Sequence, residues 1–281
     1  MYISYDEFIK KIKSKIKEDE EFYSKLLKNI INNPKRYVGI FRLSNAKTKL
    51  LQNITQSIEI KFGDLLEDIT RDYIKHLGYK NLDKRLEAKN SDGRREILNI
   101  DQYFTDGQTV YMVEMKVRDD HDSSKKRGQL DNFKRKLEAI QRQNKCRNIV
   151  ASMWFVDGGM VKNKKFYVDE LDKVIIPNTE LHLFYGSEFF NSLKNGNEAW
   201  KELIFLLENY HKLNKNENVE IPNFGNSNEV LNALIKLPNK EWKKLLSNED
   251  DYIQIREELF SSGDNLEKAK ESREYEKGLE R

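Results

Sequence analysis

Cysteine is nearly missing: Cys146 is the single one in 281 residues. That excludes an intramolecular disulfide and a cysteine-built zinc site. Prolines number four and no Ser/Gly-rich stretch occurs, which argues against a flexible linker between two bodies. No apolar run reaches the roughly 18 residues of a membrane span. The opening Met1-Tyr2-Ile3-Ser4-Tyr5-Asp6-Glu7 lacks the apolar core of a signal peptide, so a cytoplasmic location is expected. Net charge is also small, with 50 Lys and Arg against 47 Asp and Glu.

What is present is charge that is unevenly spread. Lysine, asparagine and isoleucine are abundant together, the composition of an AT-rich genome, so lysine content alone says nothing about nucleic acids. Distribution says more. Residues 116–147 hold 11 Lys and Arg against 5 Asp and Glu, whereas 238–281 hold 9 against 12. The basic stretch is where a phosphate backbone would be met.

That stretch begins at the most informative segment of the chain. Ile97-Leu98-Asn99-Ile100-Asp101 reads as a strand ending near an acid. Asp106-Gly107 is a tight-turn signal, and Thr109–Lys116 returns as a second strand carrying Glu114-Met115-Lys116. Alternation along a strand puts Glu114 and Lys116 on one face and Val113, Met115 and Val117 on the other. Two carboxylates and a lysine converging at a sheet's end suit metal-assisted phosphodiester hydrolysis. Carboxylate oxygens hold a hard divalent cation, and the lysine orients water and offsets phosphate charge. Glu-x-Lys also occurs at Glu59–Lys61, Glu87–Lys89 and Glu241–Lys243, where each copy reads as a solvated charge pair. Only the copy at 114–116 has an acidic partner across a turn.

Upstream, Phe62 to Tyr79 reads as an amphipathic helix closed by Gly78, with Phe62, Leu65, Leu66, Ile69, Tyr73 and Leu77 on one stripe. Glu67 falls off that stripe, beside Gly63, Thr70 and Ile74, and Gly63 would permit close approach of a neighbouring backbone or ligand. Downstream come a polar loop at 118–126, a helix near 127–144 and a buried strand at 148–156. In the helix, Leu130, Phe133, Leu137 and Ile140 line the apolar face, and Ser124 is the expected cap. Strands are expected at 85–89 and 94–103, around a turn at Asn90-Ser91-Asp92-Gly93. A further hairpin is expected at 160–168 and 174–176, with a short strand at 181–185.

A helix bearing a Glu, a strand meander bearing Asp…Glu-x-Lys and a basic helix together resemble the PD-(D/E)xK nuclease superfamily, and within it type II restriction endonucleases. The resemblance covers residues 60–157, and Ile100 stands where the superfamily usually has proline. It implies an α/β fold: a mixed-sheet restriction-endonuclease-like core of helix, three-strand meander, helix and strand, with helical N- and C-terminal additions. The organisation expected is a helical extension over 1–60, a catalytic core over 61–190 and a helical region over 191–281. By the resemblance, Asp101 and Glu114 with the Met115 carbonyl would hold Mg²⁺, Lys116 would position the water, and Glu67 would complete the acidic cluster. Gln129 matches a place that often carries a polar active-site residue.

The loop after Lys116 suggests DNA contacts through Arg118, Lys125, Lys126 and Arg127, the alternative being a polar connector. His121 is disfavoured as a ligand of a hard-oxygen site. The function so implied is Mg²⁺-dependent double-strand cutting at a short specific sequence. Its partners would be double-stranded DNA, a second copy of the chain and, genetically, a cognate methyltransferase in a restriction-modification system. Two other readings stay open. One is a repair or recombination nuclease of the same fold. The other is a non-catalytic nucleic-acid-binding protein in which Asp101, Glu114 and Lys116 form a surface salt bridge.

Overall fold

The computed structural model describes residues 1–16, 20–89, 92–144, 147–214 and 222–279. Cys146 and the first half of the expected 90–93 turn lie outside the described residues. Two helices, α1 (Tyr5–Lys15) and α2 (Glu20–Asn32), precede a 31-residue helix α3 (Ala46–His76). Strands β1 (Lys80–Asn81), β2 (Arg85–Lys89), β3 (Arg95–Asn99), β4 (Gln102–Thr105) and β5 (Thr109–Lys116) follow. Then come α4 (Ser123–Gln143), β6 (Asn148–Phe155), α5 (Lys164–Leu171), β7 (Thr179–Tyr185), α6 (Glu188–Asn191) and α7 (Gly196–Leu213). The chain closes with α8 (Asn228–Ile235), α9 (Asn239–Leu245), α10 (Asp250–Leu259) and α11 (Asn265–Leu279). None of the described helices is long and apolar enough to cross a membrane.

The chain divides into two compact units, Met1–Lys11 with Gly63–Leu213, and Ile12–Phe62 with Asn214–Arg281. The first unit holds a five-stranded mixed sheet in the order β1-β4-β5-β6-β7. β1, β4 and β5 are antiparallel, whereas β5, β6 and β7 are parallel. The helical crossover through α4 enforces parallel pairing of β6 with β5, because a chain that crosses the sheet in a helix re-enters in the same direction. The expected α/β core with helices at both termini is therefore present.

Alternation sorts the two faces of this sheet. Val110 and Met112 of β5 and Ile149, Ala151, Met153 and Phe155 of β6 join Leu130, Phe133, Leu137 and Ile140 of α4 in one buried cluster. On the opposite face Thr70 of α3 meets the sulfur of Met115 at 3.9 Å. Trp154 there packs on Phe189, Phe190 and Trp200, and Tyr73 of α3 packs on Phe190.

Several expectations are corrected. The run expected as one strand over 94–103 breaks at Ile100 and Asp101, so β3 pairs only with β2 in a separate hairpin while β4 joins the main sheet. The break lies after Ile100 in hydrogen bonding: Ile100 N–H donates to the Lys84 carbonyl at 2.9 Å, one step beyond Asn99 opposite Arg85, so the chain stays with β2 through Ile100 before turning to the main sheet. The hairpin expected after residue 160 is instead helix α5, because Tyr167 and Leu171, four residues apart, enter one core while Val168 between them stays exposed. α4 starts at Ser123 and is capped not by Ser124 but by Asp122, whose carboxylate accepts the Lys125 N–H at 2.8 Å. No neighbouring backbone comes close to Gly63, where a Cβ would meet only Val117 Cγ2, at an ordinary 3.7 Å. Asp106-Gly107 does turn the chain between β4 and β5, with Gly107 at φ 103° and the Asp106 carboxylate accepting the N–H groups of Gln108 and Thr109.

In the second unit α2, the first half of α3 and α8–α11 share a separate core built on Leu27, Ile30, Ile31, Leu50, Leu234, Leu245 and Ile255. Highly charged though it is, α11 is anchored. Ala269 is fully buried, and Arg273 donates to the carbonyls of Leu234, Ile235 and Leu237 while lying 4.9 Å over the Trp242 ring. A guanidinium so placed satisfies carbonyls that the end of α8 leaves without helical partners.

Candidate active site

Because β4 begins at Gln102 opposite Val113 of β5, Asp101 sits at the strand's mouth, next to Glu114 and Met115. Its Oδ2 accepts the main-chain N–H of Met115 at 2.7 Å. Glu114 and Lys116 share the face of β5 that looks toward α4, as the alternation requires. Lys116 Nζ donates to Glu114 Oε1 at 2.9 Å and to the Met115 carbonyl at 2.9 Å, and lies 3.4 Å from Asp101 Oδ2. This is no surface salt bridge: the side chains of Glu114, Asp101 and Lys116 are 3%, 14% and 27% exposed. Burial pulls the Lys116 ammonium's pKa down, but the charges of Asp101 and Glu114 outweigh it, so the net direction is upward and the ammonium stays protonated.

A second lysine, absent from the sequence expectations, completes the cluster. Lys136 of α4 donates to Glu114 Oε2 at 2.5 Å and lies 3.8 Å from Asp101 Oδ1, with its side chain only 7% exposed. A signal for it existed. Lys136 is three residues after Phe133 and four before Ile140, so helical spacing puts it on the buried stripe of α4, where a lysine requires a partner.

Glu67 approaches from α3. Its Oε2 accepts from Lys84 Nζ at 2.7 Å, and its carbonyl accepts from Gln102 Nε2 at 2.7 Å, which ties α3 to β4. Burial raises the Glu67 carboxyl above its usual range, the nearby charge of Asp101 raises it further, and Lys84 opposes both. The Lys84 carbonyl is the group that Ile100 N–H engages. Proline at position 100 could not make that bond.

The loop after Lys116 is anchored rather than loose. Asp119 is fully buried, and its carboxylate accepts from Asn163 N and Nδ2 at 2.7 and 2.8 Å and from the Tyr185 hydroxyl at 3.0 Å. Asp119 and these partners were not foreseen, because they lie 44 and 66 residues apart in sequence. Among the expected DNA-binding residues, Arg118, Lys125 and Arg127 are exposed. Lys126 instead lies 4.5 Å over the Phe166 ring, and Gln129 accepts the Tyr167 hydroxyl at 2.9 Å. His121 is held neutral: burial lowers its pKa, and Lys125 and Lys116 lower it further against the pull of Asp120 and Asp119.

Could a hard cation fit here? Among the described residues no three His, Cys, Asp or Glu side chains converge as metal ligands. Yet a cation already stands at the mouth of β5: the Lys116 ammonium draws together Asp101 Oδ2, Glu114 Oε1 and the Met115 carbonyl. Two carboxylates and a carbonyl form an all-oxygen donor set suited to Mg²⁺, with its remaining positions left to water and phosphate. The donor set fits.

A mixed sheet that brings buried carboxylates and a lysine together at the end of its central strand defines a restriction-endonuclease-like α/β protein. The model of the type II restriction endonuclease family HinfI matches residues 4–90 and 79–211, well over half of the chain. The chain belongs to that family, and is thereby a DNA nuclease. A search of curated proteins finds no match.

Proposed function

We propose that the chain is a Mg²⁺-dependent type II endonuclease of the PD-(D/E)xK kind, cutting both strands of DNA at a short specific sequence. The observation that carries this is the convergence of Asp101 Oδ2, Glu114 Oε1 and the Met115 carbonyl on one cationic point, within a family of DNA-cleaving proteins. Asp101, Glu114 and Met115 would hold the metal. When bound, a hard divalent cation acidifies water and offsets charge on the phosphoryl oxygens.

The chain's own groups do the rest. The Met115 N–H fixes the Asp101 carboxylate, leaving its second oxygen turned toward Lys136. Lys116, kept protonated by its acidic neighbours, orients the attacking water and stabilises the charge that builds on phosphate. Glu67 completes the acidic wall and is restrained by Lys84. Arg118, Lys125, Lys126, Arg127 and Gln129, following the active strand directly, lie in the basic stretch that we assign to the DNA backbone. Lys126 and Gln129 would act there while braced by Phe166 and Tyr167. In this reading residues 61–190 are the catalytic core, flanked by helical regions 1–60 and 191–281. The enzyme acts in the cytoplasm as a homodimer on a palindromic site, beside a cognate methyltransferase.

Digestion of a long unmethylated DNA with Mg²⁺, beside an EDTA control and a Lys116→Ala variant, tests the proposal. Discrete fragments lost in both controls are expected. A metal-dependent smear, or cleavage confined to branched DNA, would replace it with the repair-nuclease reading. Intact DNA across several unmethylated substrates would overturn it.

A further inference from the structure

The four carboxylate oxygens of Asp101 and Glu114 divide into two pairs. Asp101 Oδ2 and Glu114 Oε1, with the Met115 carbonyl, face the Lys116 ammonium. Asp101 Oδ1 and Glu114 Oε2 face the Lys136 ammonium, at 3.8 and 2.5 Å. Each carboxylate therefore bridges two cationic positions, the arrangement that in two-metal phosphodiesterases is filled by two divalent ions about 3.5–4 Å apart. The two lysines differ in how they are held. Lys116 is 27% exposed, at the open end of β5. Lys136 is 7% exposed and projects from the buried stripe of α4, between Phe133 and Ile140 of the core.

We infer that Lys136 permanently occupies the second cation position and makes this a one-metal site. The inference rests on the metal-dependent reading above and specifies its stoichiometry. Lys116 can yield its oxygens to an entering ion because its side chain, 27% exposed against 7% for Lys136, has solvent beside it to move into. Lys136 cannot leave without carrying a charge through the core, which is costly for a buried ammonium. Before metal enters, two carboxylates face two ammonium groups and the cluster is neutral. One divalent ion in place of the Lys116 ammonium leaves a single positive charge to meet the phosphate. A second divalent ion would have to displace Lys136 and would double that charge. Lys136 also takes Glu114 Oε2, so that Oε1 points to the first position.

Counting bound Mn²⁺ on the full-length protein by electron paramagnetic resonance and by calorimetry tests this without a cleavage readout. The wild type is expected to bind one Mn²⁺ per chain, with the spectrum of an isolated ion. Lys136→Gln and Lys136→Met, checked for folding by circular dichroism, are expected to bind two, with an exchange-coupled spectrum. Two ions in the wild type, or one in folded Lys136 variants, would overturn the inference while leaving metal dependence standing. Should both variants fail to fold, the wild-type spectrum alone decides between one ion and a coupled pair. No Mn²⁺ bound by either the wild type or Lys116→Met, which lacks the ammonium competing for the first position, would overturn the metal reading and this inference with it.

Discussion

Asp101 accepts the main-chain N–H of Met115 at 2.7 Å, so a side chain closes the ladder at the place where the strand of Asp101 has already broken. That bond aligns Asp101 with the Met115 carbonyl and Glu114 on the next strand, and it depends on the break. Had the strand continued through Ile100 and Asp101, a backbone group would have paired there and the carboxylate would have been carried away from Glu114.

Glu67 gives a pH signature. Its carboxyl is raised by burial first and by Asp101 second. A raised folded-state value means that stability is full below the unfolded value of about 4.3 and is lost as pH rises through the folded value. Glu67→Gln removes that loss. Melting temperatures of wild type and variant are expected to converge at acid pH and to separate toward neutrality, with the variant higher. A constant difference across the range would show that burial does not govern this group.

Asp119 secures the loop that leads from Lys116 toward α4. Asp119→Ala strands the Asn163 N–H and the Tyr185 hydroxyl inside the protein and leaves Asn163 Nδ2 with only the His121 carbonyl, so three hydrogen bonds are lost. At about 1 kcal/mol or more for each, the expected cost is about 3 kcal/mol in urea unfolding. A change below about 1 kcal/mol would mean the loop is held elsewhere.

In the second unit, Arg273→Ala should remove both the carbonyl cap on the end of α8 and the stacking on Trp242. A loss of about 2–4 kcal/mol is expected, from the stranded carbonyls and the lost cation–π contact together. Lys in its place should recover less than half, because one ammonium cannot reproduce the guanidinium's fan of donors. Full rescue by Arg273→Lys would reduce the role to simple charge.

Lys125 and Arg127 test the DNA face. Their joint replacement by Ala should weaken binding across sequences and lower the slope of log affinity against log salt by about two, one for each phosphate contact. An unchanged slope would move the DNA backbone away from the start of α4.

Much of this was readable in advance where the controlling physics is local. The two-residue period of β5 placed Glu114 and Lys116 on one face, and Asp106-Gly107 placed the turn that returns the chain past Asp101. The stripe Leu130, Phe133, Leu137 and Ile140 marked the buried side of α4. Local pattern misled at Phe166-Tyr167-Val168, whose strand-like composition yields to a core that takes Tyr167 and Leu171 at helical spacing. It also left unmarked the inner side of α11, where Ala269 and Arg273 are buried beneath a charged surface.

The sequence by itself therefore determined the sheet-and-helix class, the pairing of Glu114 with Lys116 and the basic excess that follows them, because periodicity and turn chemistry act over a few residues. What completes the site came from packing between separated segments. The Ile100 N–H turned to Lys84, Asp119 locked to Asn163 and Tyr185, and Lys136 seated on Glu114 all join groups distant along the chain. No local pattern encodes such a pairing, since each buried polar group takes whichever partner the packed core brings within reach.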